Sequence, residues 1–168
     1  MAINIEQKYI YSFSQIEDKV KALHEINTEA AAAVALSWLG LSRDELKTLR
    51  VSDYNSTMRM LHSAGRVVYV REDLIADMLK AICEEAPEYS MGFFITDVNS
   101  AYEAAEKQEL SPISVLKMRY FYEKHSAKLS GEPEDRVFLK EILRSVGESE
   151  ADMEKQFAEY EKDAPEKI

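Results

Sequence analysis

Gly40-Leu41-Ser42-Arg43-Asp44-Glu45-Leu46-Lys47-Thr48-Leu49-Arg50-Val51-Ser52-Asp53 is the stretch on which the reading of the fold turns. It overlaps the end of residues 29–41, EAAAAVALSWLGL, which are Ala-rich and apolar on nearly every side. Such a pattern predicts a helix at the centre of a core rather than on its surface. Gly40 ends that helix. Ser42 then stands three residues before Glu45, the spacing of a capping box, and opens a short helix through Leu49.

Outward from this stretch the chain reads as mostly helical with one hairpin. On the amino-terminal side, Ser14-Gln15-Ile16-Glu17 has capping-box spacing, and Ile16, Val20, Leu23 and Ile26 follow at helical intervals up to the polar break Asn27-Thr28. Residues 57–61 (TMRML) and 66–70 (RVVYV) are rich in strand formers around His62-Ser63-Ala64-Gly65, which predicts a β-hairpin. A helix is expected over 72–85, stopped by Pro87, and residues 91–95 (MGFFI) as a short strand or buried extended piece. Further helices are expected over 98–108, 113–129, 134–145 and 149–162, with a frayed tail from Asp163. No repeat, low-complexity tract or interdomain linker interrupts the pattern, so one domain over 1–168 is expected, with its core at about 12–162. The expected fold class is mainly α with a small β-hairpin or sheet (α+β).

Composition bounds the function. The chain has 168 residues, 46% hydrophobic and 31% charged, enough for one globular core. No apolar run approaches the roughly 20 residues that span a bilayer. The start, MAINIEQKYIYSF, lacks a basic region followed by an apolar core, so no secretory signal is read there. The single cysteine, Cys83, leaves no internal disulfide and suits a reducing, cytoplasmic setting; its place on the apolar side of a helix marks it as structural. A net charge of −10 and a pI near 4.9 count against autonomous DNA binding, which draws its affinity from Lys and Arg at phosphates.

Residues 40–53 resemble the first signature of the tyrosine recombinase (phage integrase) catalytic domain, roughly G-L-R-x-x-E-L-x-x-L-x-x-x-D. Gly40, Leu41, Glu45, Leu46, Leu49 and Asp53 fall in register. The order of helices around a hairpin is also similar to that domain over about 12–162, without the family's separate core-binding domain. The resemblance implies a reaction in which a tyrosine attacks a DNA phosphate, while arginines and a histidine or tryptophan stabilise the phosphoryl oxygens and a hairpin lysine acts as acid. The positions implied for that chemistry depart from it. Ser42 stands where the first arginine belongs, with Arg43 one helical step of about 100° away. No lysine lies between Lys47 and Lys80, so the hairpin acid is missing; Arg66, followed by VVYV, matches the family's hairpin ending. Leu116 stands at the second signature's histidine and Arg119 at its arginine, with an ordinary ion-pairing arginine as the alternative reading. His125 is out of register. Val146-Gly147-Glu148-Ser149 matches the third signature with Glu148 at the histidine, and counting on to the nucleophile reaches Phe157. Tyr160, three residues later, is the remaining hydroxyl.

Of the implied positions, only Arg119 keeps the family's residue. Two lost anion-stabilising groups would each cost on the order of 3 kcal/mol in the transition state, before the nucleophile is counted. The expectation is therefore a catalytically inactive, integrase-like binding or regulatory protein, of phage or mobile-element type by resemblance, acting through a protein partner. One alternative is a DNA-binding regulator using Arg50, Arg59, Arg66 and Arg119. The other is an active strand-transferase with displaced residues Arg43, Arg119 and Tyr160.

Other chemistry finds little support. The three histidines, His24, His62 and His125, have no metal-ligand spacing, and neither a metal nor a cofactor is expected. Acidic runs near residues 131–136 and 148–167 are interspersed with lysine, as on a solvated helix face. The sharper reading makes the helix around Met153–Lys162 an acidic assembly element, for self-association or for a basic partner protein.

Overall fold

The computed structural model describes residues 9–85 and 92–164; Pro87, Met91 and the tail from Pro165 lie outside them. Among the described residues eight α-helices and a hairpin follow one another in the expected order, with one further short strand. The centre is α2 (Thr28–Trp38), in which every residue from Ala30 to Trp38 is buried. Small alanine side chains let neighbours close in on all sides, and α1 (Glu17–Ile26), α5 (Val98–Lys107) and α6 (Pro112–Ser130) pack around it. Asn27, the polar break, is the N-cap: its Oδ1 accepts from Ala30 N–H at 3.0 Å.

The first helix begins differently from the reading. Phe13–Gln15 form a single 3-10 turn, Ser12 N–H donates to Gln15 Oε1 at 3.0 Å, and α1 starts at Glu17 without a side-chain cap. Phe13 and Ile16 are both buried, and seating them in the core overrides the Ser14–Glu17 spacing. Ile26, placed in the apolar stripe, is the exposed last residue of α1.

The hairpin is real but shifted. β2 (Met60–Ser63) pairs antiparallel with β3 (Arg66–Tyr69), and a strand too short for its pattern to show, β1 (Tyr54–Asn55), joins β2 on its other side. The turn is Ala64-Gly65 alone, at φ +49° and +76°, so His62 and Ser63 belong to the strand. Left-handed conformation at both turn residues matches the twist of paired strands. After α4 (Asp73–Glu85), Phe93 bridges Arg50, and Phe94 and Ile95 enter the core, so 92–95 is extended as expected. The chain closes with α7 (Arg136–Val146) and α8 (Glu150–Asp163). α8 turns Met153, Phe157 and Tyr160 into the same core, leaving its acidic side exposed.

Candidate functional site

The short helix α3 (Arg43–Thr48) begins as its sequence requires. Ser42 Oγ accepts from Glu45 N–H at 3.2 Å, and Ser42 N–H donates to Glu45 Oε1 at 3.1 Å. Glu45 does more than close this box. Ser63 Oγ donates to its Oε2 at 2.7 Å, and Arg66 Nη2 lies 2.6 and 2.7 Å from its two oxygens. Burial alone pushes this carboxyl up; the hydrogen bonds from Arg66, Ser63 and the Ser42 backbone outweigh it and hold the group below its ordinary value. The pair locks the hairpin to α3.

Above it lies Phe138. Gly40, at φ +93°, leaves room for this ring: a Cβ there would meet its carbons at 2.3 Å. The Arg66 guanidinium sits 5.4 Å from the ring centroid and that of Arg119 sits 5.6 Å from it. Arg119 is held on every side. Its Nη1 donates to the Trp38 carbonyl at 2.9 Å, its Nε donates to Glu123 Oε1 at 2.9 Å, and its guanidinium stacks over the Trp38 and Tyr122 rings. Beside Phe138 opens a groove of about 1010 Å³, walled by β3, α6 and the loop into α7.

The other candidate positions are elsewhere. Arg43 turns to α5, with Nε 3.1 Å from Asn99 Oδ1 and the guanidinium 4.9 Å over the Tyr102 ring; it shares no partner with Arg119. Leu116 is buried in the core. Glu148 pairs with Lys117 at 2.6 Å and accepts from Gln156 at 2.9 Å; those two hydrogen bonds, Lys117 first, hold its carboxyl below the ordinary value. Phe157 stacks between Phe121 and Tyr160, with ring centroids 6.2 and 6.1 Å away. Tyr160 is fully buried: its hydroxyl donates to the Ile10 carbonyl at 3.4 Å, while Tyr11 donates to its own carbonyl at 3.2 Å. Burial pushes the Tyr160 phenol up, and the nearby Tyr11 and Tyr122 add to it. His125 is buried with its ring against Tyr160. Cys83 is half-buried against the Val51 carbonyl, its thiol pushed up by burial.

The four arginines that the DNA-binding alternative would use are therefore not one patch. Arg66 and Arg119 meet at Phe138, but Arg59 pairs with Asp73 at 2.9 Å and Arg50 lies over the Phe93 ring. The strand-transferase alternative needs Arg43, Arg119 and Tyr160 together, and each is packed against a different set of neighbours. The reading missed Phe138 and Glu123. Glu123 had a signal, since it lies four residues after Arg119 on one helix; Phe138 had none. Among the described residues no cluster of His, Cys, Asp and Glu could hold a metal ion, and no helix is long and apolar enough to cross a membrane.

This mostly helical α+β architecture, with its three-stranded antiparallel sheet, is recombinase-like. It is similar to the crystal structure of XerA recombinase, with a TM-score of 0.53 and 12% identity, over 93% of this chain and 65% of that one. At that identity the likeness is one of fold, and the chain spans about two-thirds of the length of XerA recombinase. No family model and no curated protein matches the sequence.

Proposed function

We propose that this chain is a non-catalytic domain of recombinase-like fold that works as a binding or regulatory module through a protein partner. The observation that carries the reading is the burial of Tyr160. Its hydroxyl is the one that the displaced-catalysis alternative needs, three residues past the position where the resemblance places the nucleophile, and it is closed off beneath residues 9–11. Attack on a phosphate needs an exposed, activated oxygen within reach of the phosphorus. Three further features support the same reading. Arg119 is satisfied by Glu123 and the Trp38 carbonyl, Ser42 is committed to capping, and Glu148 places a carboxylate where the resemblance implies an anion-stabilising group.

The test pairs two measurements on the full chain. A suicide duplex that traps phosphotyrosyl intermediates is expected to give no covalent product. Duplex binding is expected to be weak and to vanish at moderate salt, because three of the four candidate arginines are paired with carboxylates. A trapped product lost in Tyr160→Phe would overturn the reading in favour of displaced catalysis. Tight, salt-sensitive binding without trapping would replace the protein partner with DNA.

A further inference from the structure

Among the described residues β3 has a neighbouring strand on one side only. Val70 N–H donates to the Arg59 carbonyl at 2.9 Å, so the alternation of an antiparallel ladder turns the backbone groups of Val67 and Tyr69 to the open side. This strand is one wall of the groove of about 1010 Å³. Val67, Tyr69, Leu129 and Val137 all line it, four of the seven large apolar side chains that the described residues expose. A concentration of that kind marks a surface that meets another molecule.

The open edge of β3 offers both donors and acceptors from its backbone. A phosphodiester supplies acceptors only; a peptide backbone supplies both. Charge decides in the same direction. Arg66 and Arg119 are neutralised within the chain by Glu45 and Glu123. What remains along the groove is Glu72, Glu132 and Asp135 against Arg71, an excess of negative charge that repels phosphate and attracts Lys or Arg.

We propose that this groove docks an extended segment of a partner protein, with apolar residues alternating with Lys or Arg, added as a fourth strand alongside β3. Main-chain hydrogen bonds to Val67 and Tyr69 give the pairing, alternate apolar side chains meet Val137 and Leu129, and the basic ones face Glu132 and Asp135. The proposal rests on the non-catalytic reading and names the partner's chemistry, yet it uses different side chains. A trapped DNA intermediate would leave peptide binding measurable, and a failure of peptide binding would leave the trapping result intact.

The probe is a phage-displayed library of random decapeptides panned on the full chain, followed by fluorescence anisotropy with a synthetic copy of the enriched peptide. Enriched sequences are expected to alternate apolar with Lys or Arg. Val137→Asp is expected to weaken binding at least tenfold and Glu132→Lys several-fold, while the peptide slows amide exchange at Val67 and Tyr69. Val137 is 66% exposed, so its substitution does not threaten folding. No enrichment, enrichment of acidic peptides, or binding indifferent to Val137→Asp would overturn the proposal. Dimerisation of the chain alone that Val137→Asp abolishes would also overturn it, by assigning the groove to a second copy.

Discussion

Replacing Arg66 by methionine isolates the pair that ties the hairpin to α3. Arg66 and Glu45 are 12% and 6% exposed, and the change leaves the Glu45 carboxylate buried with only the Ser63 hydroxyl and the Ser42 N–H as donors. Removing one partner of a buried ion pair costs about 3–5 kcal/mol. The two surviving hydrogen bonds place Arg66→Met at the low end, about 3 kcal/mol, a large part of the 5–15 kcal/mol that holds a domain folded. Replacing both partners by apolar residues removes the stranded charge. Arg66→Met with Glu45→Leu is therefore expected to lose less than the single variant, about 2 kcal/mol, most of it for the lost cap and the orphaned Ser63 hydroxyl. Trp38, the only tryptophan and fully buried, reports urea unfolding by its fluorescence.

The pH dependence gives the experiment a second sign. In the native protein Glu45 titrates below its unfolded value, so its contribution is present above the ordinary carboxylate range and fades as pH falls through the folded value. Without Arg66, burial dominates and raises the carboxyl, so the variant gains relative stability as Glu45 takes up a proton. The cost of Arg66→Met is thus expected to shrink steadily from pH 7 towards pH 4. A single variant within about 1 kcal/mol of the native protein at pH 7, a double variant less stable than the single, or a cost that grows in acid would refute this account of the pair.

Three further outcomes follow from the geometry. Gly40→Ala is expected to destabilise by about 2–4 kcal/mol, from its left-handed backbone and the collision with Phe138; most of the packing share should return when Phe138→Ala is added, measured by urea unfolding. Ala64→Asn should stabilise by about 0.5–1 kcal/mol, raising the urea midpoint at unchanged slope, because asparagine accepts the φ of +49° that strains alanine. Tyr160→Phe should cost about 1 kcal/mol through the lost bond to Ile10. Because the Tyr160 phenol is raised in the fold, its contribution is complete below the ordinary tyrosine value and is lost as pH climbs above it, so ultraviolet titration should show this phenol ionising only with alkaline unfolding.

What could be read from the pattern was what neighbouring residues decide among themselves. The Ser42–Glu45 box, the Asn27 break and the Ala-rich helix are all local, and the structure holds each of them. The hairpin register slipped because the turn rests on Ala64, a residue type that seldom adopts positive φ, so a four-residue connection looked more natural than two. The first cap slipped because two boxes two residues apart, Ser12–Gln15 and Ser14–Glu17, fit the sequence equally well, and the burial of Phe13 and Ile16 chose between them. At the site, the Glu123 clamp on Arg119 lay within one helix and was open to reading. The ring of Phe138 was not, since it reaches Gly40, Arg66 and Arg119 only through the packing of α7 on the rest of the fold.

That division also explains why the 40–53 stretch carried a resemblance of fold and so little of its chemistry. Leu41, Leu46 and Leu49 are all but fully buried, Gly40 makes room for an aromatic ring, and Glu45 bolts the hairpin in place. Asp53 accepts from Arg50 N–H at 2.8 Å and closes the turn behind α3. Each matched position thus has packing or hydrogen bonding that would demand the same residue type whether or not a reaction took place. Ser42 stands apart: a cap needs only a small side-chain oxygen there, and an arginine could not supply it. A stretch can therefore keep every residue its architecture needs while the position implied for catalysis is given over to holding the helix.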